Sequence, residues 1–193
     1  MKNNLTDKDI ETLKKWGKEY DIYGLRLKDK ERFFNLHGLL IADDSNKIKY
    51  IPTEIFKLTN LEVLSIDVDE LTELPKDIEN LTKLKELSIN SVALTELPKE
   101  IGNLTNLKCL DIRCQNLKRL PEEIYNLINL EEVTIHCDNL ENFPDGIEKL
   151  INLDALIIIN HNETWNIKKL PIDGIGKLTK LKRFCISRVE DNL

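Results

Sequence analysis

Several features that would point to particular classes of protein are missing from this 193-residue sequence. It has no run of about 18 apolar residues, so no membrane-spanning helix is predicted. It has no basic excess, since 34 acids against 28 bases give a net charge of −6, and this disfavours nucleic-acid binding. Hydrophobic residues still make up 41% of the chain, which is enough for a packed core. The length fits one domain of about 100–200 residues.

Cysteine is scarce, and the first residues lack the apolar stretch of a secretory signal peptide. We therefore expect a cytoplasmic protein whose cysteines are reduced thiols rather than disulfides. Secretion by a route that needs no signal peptide is the alternative. The four cysteines are Cys109, Cys114, Cys137 and Cys185.

Catalytic motifs are also missing, including the phosphate-binding glycine loops and the metalloprotease helix motif. The best metal-binding candidate combines Cys114, His136 and Cys137, because the two cysteines are 23 residues apart. Tetrahedral zinc needs four convergent ligands, and strand alternation would place His136 and Cys137 on opposite faces. We therefore predict no metal, no cofactor and no enzymatic activity.

Proline is scarce too, but its copies recur at a fixed interval of 23 residues that lengthens to 27 before the last. The prolines are Pro52, Pro75, Pro98, Pro121, Pro144 and Pro171. Three of them stand in the phrase Leu-Pro-x-x-Ile-x-x-Leu, and a second phrase, Leu-x-x-Leu-x-Ile or a close variant, follows each proline. Copies of this second phrase begin at Leu36, Leu61, Leu84, Leu107, Leu130, Leu153 and Leu181. Its alternation predicts a strand with one buried face.

Together the two phrases resemble the leucine-rich repeat, with units of about 20–29 residues, and in particular its short bacterial form. The resemblance covers residues 36–193. It implies an α/β solenoid, a right-handed superhelix with a parallel, concave β-sheet, in which neighbouring units stack to bury their apolar faces. It also implies a non-catalytic protein that binds another protein through the concave face.

Residues 1–35 carry no repeat, and we predict that they form a helical cap over the first repeat. Thr6 and Asp9 have the spacing of a capping box. We expect Gly24 to end the first helix and Asp29 to begin a short second one that carries Phe33. The apolar stripe of the first helix contains Ile10, Leu13, Trp16, Gly17 and Tyr20. The alternative is that this helix binds a partner.

The sequence departs from the family where asparagine is usual. The residues at that position are Asp69, Val92, Gln115, Asp138 and His161. The residues one position earlier are Val68, Ser91, Cys114, Cys137 and Asn160. Because the earlier set continues the strand alternation, we predict that it faces inward, which disfavours a continuous asparagine ladder.

The outward strand positions are the predicted binding face. Most are polar, but residues 155–159 are apolar on both faces of the strand, and exposed apolar patches mark contact sites. The insertion 161–169 either covers Ile157 and Ile159 or leaves them open. The residues predicted to bind the partner are Glu86, Cys109, Asp111, Arg113, Glu132, Thr134, His136, Ile157, Ile159 and Arg183.

The predicted partner is another protein, and neither nucleic acid nor a membrane. The last strand is predicted to be a sheet edge, with Lys182, Arg183 and Arg188 as charges that oppose pairing with another chain. We therefore expect a monomer, and a dimer paired through this edge is the alternative. The alternative functions are that of a secreted effector acting on host proteins and, in third place, that of an enzyme.

Overall fold

A single seven-stranded parallel sheet runs through the chain. The computed structural model describes residues 5–160 and 170–188. The strands are β1 (Gly38–Ala42), β2 (Val63–Asp67), β3 (Glu86–Asn90), β4 (Cys109–Arg113), β5 (Glu132–His136), β6 (Ala155–Asn160) and β7 (Arg183–Arg188). They pair in sequence order, so the predicted α/β solenoid is confirmed.

The repeat spacing sets the register between strands. Leu39 pairs with Leu64, and Leu64 with Leu87, so the second leucine of each repeat lies beside the same residue of the next. The isoleucines two residues later pair in the same way. These inward side chains are buried up to β6, and full burial of each stabilises the fold by about 1.5–3 kcal/mol.

Proline begins most of the short 3₁₀ helices opposite the sheet. Its carbonyl accepts a hydrogen bond from the isoleucine three residues on, for example from Ile78 to Pro75 at 3.1 Å. The φ values of Pro52, Pro75, Pro98 and Pro121 lie between −57° and −67°, which the proline ring fixes without strain. These helices are Thr53–Lys57, Lys76–Asn80, Lys99–Asn103 and Glu122–Asn126. The last two repeats differ, with a 3₁₀ helix Ile147–Lys149 and the helix Ile172–Ile175.

Two α-helices precede the sheet, α1 (Asp7–Glu19) and α2 (Lys30–Phe34). The predicted capping box is present: the Thr6 hydroxyl accepts from the Asp9 backbone N–H at 3.2 Å, and the Asp9 carboxylate accepts from the Thr6 N–H at 2.7 Å. Asp29 caps α2, as predicted. The buried residues on α1 include Ile10, Leu13 and Trp16.

The prediction that Gly24 ends the first helix is wrong, since α1 ends at Glu19. Asp21 adopts a left-handed conformation with φ 59°, and the N–H of Ile22 donates to the Gly17 carbonyl at 2.8 Å. This is a Schellman motif, in which aspartate takes the position that glycine more often fills. Gly24 lies in a separate 3₁₀ helix, Tyr23–Leu25.

A partly buried ion pair joins α1 to the first repeat. Asp9 is 6% exposed, and its carboxylate accepts a hydrogen bond from the Lys57 ammonium at 2.8 Å. Burial raises the pKa of Asp9, but the hydrogen bonds from Lys57 and Thr6 outweigh it and lower this pKa from 3.8 to about 2. The ionised carboxylate therefore stabilises the folded state.

The Asp9→Asn variant is expected to lose about 2 kcal/mol of unfolding free energy at neutral pH, an upper estimate from this shift. The stabilisation is complete above about pH 4, the carboxyl's unfolded pKa, and is lost as the pH falls towards 2. Urea unfolding across this window should show the difference between wild type and variant shrinking. The matched control is Asp7→Asn, whose side chain is 89% exposed and whose loss should change little. A difference that does not depend on pH would contradict this account.

Two of the three charges predicted to guard the edge strand form ion pairs with residues of earlier repeats. Lys182 forms an ion pair with Asp154 at 2.6 Å, and Arg183 forms one with Glu132 on β5. Phe184, at an inward position on β7, is 44% exposed. The charges at this end of the sheet are therefore engaged within the chain as well as facing solvent. The side chain of Arg188, the third predicted guard, lies outside the described part of the structure.

Candidate protein-binding face

Three parallel rows of outward side chains cross the sheet and form its concave face. The first row is Gly38, Val63, Glu86, Cys109, Glu132, Ala155 and Arg183. The second is Leu40, Ser65, Ser88, Asp111, Thr134, Ile157 and Cys185. The third is Ala42, Asp67, Asn90, Arg113, His136, Ile159 and Ser187. All of the residues predicted to bind a partner lie in these rows, on β3 to β7.

Exposure differs among these predicted residues. The charged side chains of Glu86, Arg113, Glu132 and Arg183 are exposed. Those that are half-buried are Cys109, Asp111, Thr134, His136, Ile157 and Ile159. The half-buried residues form the floor of the face, and the long charged side chains rise from it. The arrangement brings side chains of both signs together over β4 and β5.

Ion pairs organise the charges of this floor. Arg113 bonds to Asp111 on its own strand at 3.0 Å, and Arg183 bonds to Glu132 two strands away. In the register, Ala155 lies between Glu132 and Arg183, so this pair passes over it. Ala155 is only 2% exposed, although it occupies an outward position. The expectation that residues 155–159 present an open apolar surface therefore does not hold at Ala155.

Ile157 and Ile159 are half-buried on the same strand. Ile157 has Thr134 and Cys185 as register neighbours, and Ile159 lies between His136 and Ser187. The insertion 161–169, which was predicted either to cover these isoleucines or to leave them open, lies outside the described residues. The two isoleucines are the apolar part of the floor at this end of the sheet.

A second apolar area on the concave face was missed in the sequence. Leu40 is 59% exposed and Val63 is 39% exposed, at the opposite end of the sheet from Ile157. Residues 38–42 are apolar on both faces, which is the same signal that drew attention to β6. The apolar pattern of residues 38–42 could therefore have identified Leu40 from the sequence, whereas the position of Val63 near Leu40 follows from the strand register.

The prediction that the residues one position before the usual asparagine face inward is confirmed. Val68, Ser91, Cys114, Cys137 and Asn160 are all buried. The polar members satisfy backbone carbonyls of the preceding repeat: the Ser91 hydroxyl donates to Leu71 at 3.0 Å, and the Asn160 amide donates to Cys137 at 2.7 Å. Such bonds replace part of a continuous asparagine ladder at the carboxyl ends of the strands.

An asparagine ladder does exist at the amino ends of the strands, and it was not predicted from the sequence. The amides of Asn106, Asn129 and Asn152 donate to carbonyls of Thr82, Thr105 and Ile128 at 2.7–2.8 Å. Asn60 makes the corresponding bond to Phe34. The signal was the asparagine that precedes the first leucine in five of the seven strand phrases.

A row of ion pairs runs beside this ladder, each joining consecutive repeats. The pairs are Glu62–Lys85, Lys108–Glu131 and Asp154–Lys182, at 2.6–2.7 Å. Hydrogen bonding and charge from Lys85 lower the pKa of Glu62, and Glu131 likewise raises the pKa of Lys108. These pairs are solvent-exposed, so each contributes little to stability. They balance the charge along the rim of the concave face.

The cysteines divide between core and surface as the alternation predicts. Cys114 and Cys137 are buried, Cys109 is half-buried and Cys185 is exposed, and all four are free thiols. Burial raises the pKa of Cys114 to about 12 and raises that of Cys137 further. His136 lies in the third outward row while Cys137 is inward, so the two side chains diverge. In the described ranges no His, Cys, Asp and Glu side chains group as a metal site.

Thiol labelling of the native protein should modify Cys185 fastest and Cys109 next. Cys114 and Cys137 should react at least about 100-fold more slowly, since they are buried and their raised pKa leaves almost no thiolate. Mass spectrometry of a maleimide time course reads out each site, and urea-unfolded protein, in which all four react, is the control. Rapid labelling of Cys114 or Cys137 would show that the inward assignment is wrong.

A concave parallel sheet built from stacked repeats defines the leucine-rich repeat class of protein. A family model described as a leucine-rich repeat region matches residues 76–192. The chain belongs to the leucine-rich repeat family. No curated protein matches the sequence.

A solved structure of a leucine-rich repeat protein from Leptospira interrogans is similar to this chain. The TM-score is 0.67 and the sequence identity is 30%. The similarity covers 88% of this chain and 43% of that one, so this chain spans less than half the length of that neighbour. Within the described residues, no helix combines the length and the apolarity that crossing a bilayer requires.

Proposed function

We propose that this protein is a non-catalytic recognition module that binds another protein through its concave face. The observation that carries the proposal is the face itself, three rows of outward side chains across seven strands that no other described element covers. Its mixture of charged, polar and apolar side chains suits a protein surface, where a few central residues dominate affinity. The family and the fold support a role in protein interaction.

The binding centre proposed here is the surface of β4 to β6, around Arg113, Glu132, His136, Ile157 and Ile159. The isoleucines supply half-buried apolar area for contact, and the charged groups beside them fix the orientation of the partner. We propose that the protein acts in the cytoplasm as a monomer. Neither the family match nor the similar structure favours the alternative of a host-directed effector.

The test is affinity capture from the source cell with the full chain as bait, followed by identification and direct binding measurement with the captured partner. Arg113→Glu and Ile157→Asp should each weaken binding at least about tenfold, because both change the centre of the face. Thermal unfolding of each variant separates loss of contact from loss of fold.

The matched controls lie off the concave face. Arg119→Glu reverses a charge on a side chain that is 80% exposed, and Ile151→Asp alters an isoleucine that is 60% exposed. Both should bind like wild type. If the concave-face variants also bind like wild type, the partner does not use this face.

A further inference from the structure

The concave surface of β1 to β3 differs in chemistry from the centre described above. Leu40 and Val63 form an exposed apolar ledge at the first two strands. Beyond the ledge the floor is made of small hydroxyl residues, Ser65 and Ser88, which pair in the second row. A shallow depression of about 340 Å³ follows this floor from Val63 towards Glu86 and β5. It has room for side chains from a partner.

The carboxylates that border this depression differ in whether a positively charged side chain pairs with them. Glu132 pairs with Arg183 and Asp111 pairs with Arg113. Glu86 has only Val63 and Cys109 as its first-row neighbours, and in the described part of the chain it forms no ion pair. These carboxylates make the surroundings of Cys109 negative: burial raises the pKa of the Cys109 thiol, and Glu132 and Glu86 raise it further. An uncompensated exposed carboxylate beside an apolar ledge favours a cationic partner group.

We propose that this surface binds a segment of the partner protein in which a lysine or arginine pairs with Glu86 and a nearby apolar side chain packs on Leu40 and Val63. The inference rests on the proposed function and specifies the chemistry of the partner. Adjacent strands lie about 4.8 Å apart, so β1 and β3 are about 10 Å apart. A segment in the polyproline II conformation rises about 3.1 Å per residue and returns to the same face every three residues, so it covers that distance in about three residues with both side chains facing the sheet.

The probes are short fluorescent peptides with one arginine and one leucine at varied spacing, and matched peptides with arginine replaced by glutamate or leucine by serine. Fluorescence anisotropy with the full chain should show binding that requires both side chains and is best at about three residues of separation. Glu86→Gln should weaken this binding about tenfold, and added salt should weaken it as well. Leu40→Ser should weaken it by about five- to tenfold through lost apolar contact.

The matched control for Glu86→Gln is Glu122→Gln, an exposed glutamate on the 3₁₀ helix Glu122–Asn126, which should leave binding unchanged. Circular dichroism confirms that each variant is folded. The inference is overturned if no peptide binds at concentrations up to about 1 mM, if arginine and glutamate peptides bind alike, or if Glu86→Gln has no effect.

The captured partner separates this inference from the proposed function. Loss of partner binding in Arg113→Glu and Ile157→Asp, with wild-type binding in Glu86→Gln and Leu40→Ser, overturns the inference and leaves the proposed function standing. Wild-type binding in all four variants overturns both. Weakened binding in Glu86→Gln and Leu40→Ser, together with the peptide selectivity, supports the inference.

Discussion

The Gly102→Ala variant is expected to lose about 2–3 kcal/mol of unfolding free energy, a large effect for the addition of one methyl group. Gly102 is buried in the 3₁₀ helix Lys99–Asn103, against the next such helix. A Cβ atom on Gly102 would lie 2.4 Å from the Glu123 carbonyl oxygen and 2.7 Å from the Glu123 Cβ. Because the clash involves backbone, relieving it requires the two repeats to separate.

Urea unfolding followed by circular dichroism measures the change, and Gly38→Ala is the matched control. A Cβ at Gly38 would have no atom within 4 Å, so that variant should stay within about 0.5 kcal/mol of wild type. Equal stability of the two variants would mean that the two repeats move apart at Gly102 without a loss of unfolding free energy. The positions equivalent to Gly102 hold Phe56, Glu79, Tyr125 and Glu148, so no repeat rule identifies this site.

Removal of residues 1–35 is the second change with a large expected effect, namely loss of soluble, cooperatively folding protein. The segment carries Leu13, Trp16, Leu25 and Phe33, all buried in the same core as Phe56 of the first repeat. Without it, the first strand and its 3₁₀ helix would present apolar surface to water, and a solenoid that loses one end loses stability from that end inwards. Solubility and the thermal unfolding curve are the measurements.

Point variants in the same segment should reduce stability according to how deeply each side chain is buried. Leu13→Ala removes a fully buried side chain and should cost about 2–5 kcal/mol. Tyr23→Ser changes a residue that is 84% exposed and should cost almost nothing. A truncated protein that is soluble and melts like the full chain would show instead that residues 1–35 are an appendage.

The repeat architecture was predictable because spacing alone sets the register. Once phrases recur every 23 residues, Leu64 must lie beside Leu87 in a parallel sheet, and the alternation decides which face each residue takes. The capping box of α1 was predictable for the same reason, since it depends on residues three apart. Local and periodic rules were sufficient for both.

Features that depend on tertiary neighbours were not predictable. The chain leaves α1 after Glu19, through the left-handed Asp21 rather than at Gly24, and this path packs Leu25 so closely on Gly17 that a Cβ on Gly17 would lie 2.5 Å from the Leu25 Cβ. Ala155 is buried at an outward position, and its two register neighbours, Glu132 and Arg183, form an ion pair although they are 51 positions apart. Alternation therefore located the outward rows of the candidate site, but which of their members are open is decided by side chains from other strands.

The Arg183–Glu132 pair has a consequence for the electrostatics of the binding face. In a stacked solenoid each repeat interacts mainly with its immediate neighbours, whereas this pair skips β6 and links the strands on either side of it. Here β7 supplies the cation that faces a carboxylate two strands inwards. If β7 separated from β6, Glu132 would lose that counter-charge, and the concave face around β5 would become one unit more negative. The pairing of β7 with the sheet and the charge presented to a partner are thereby coupled, and ionic strength modulates both.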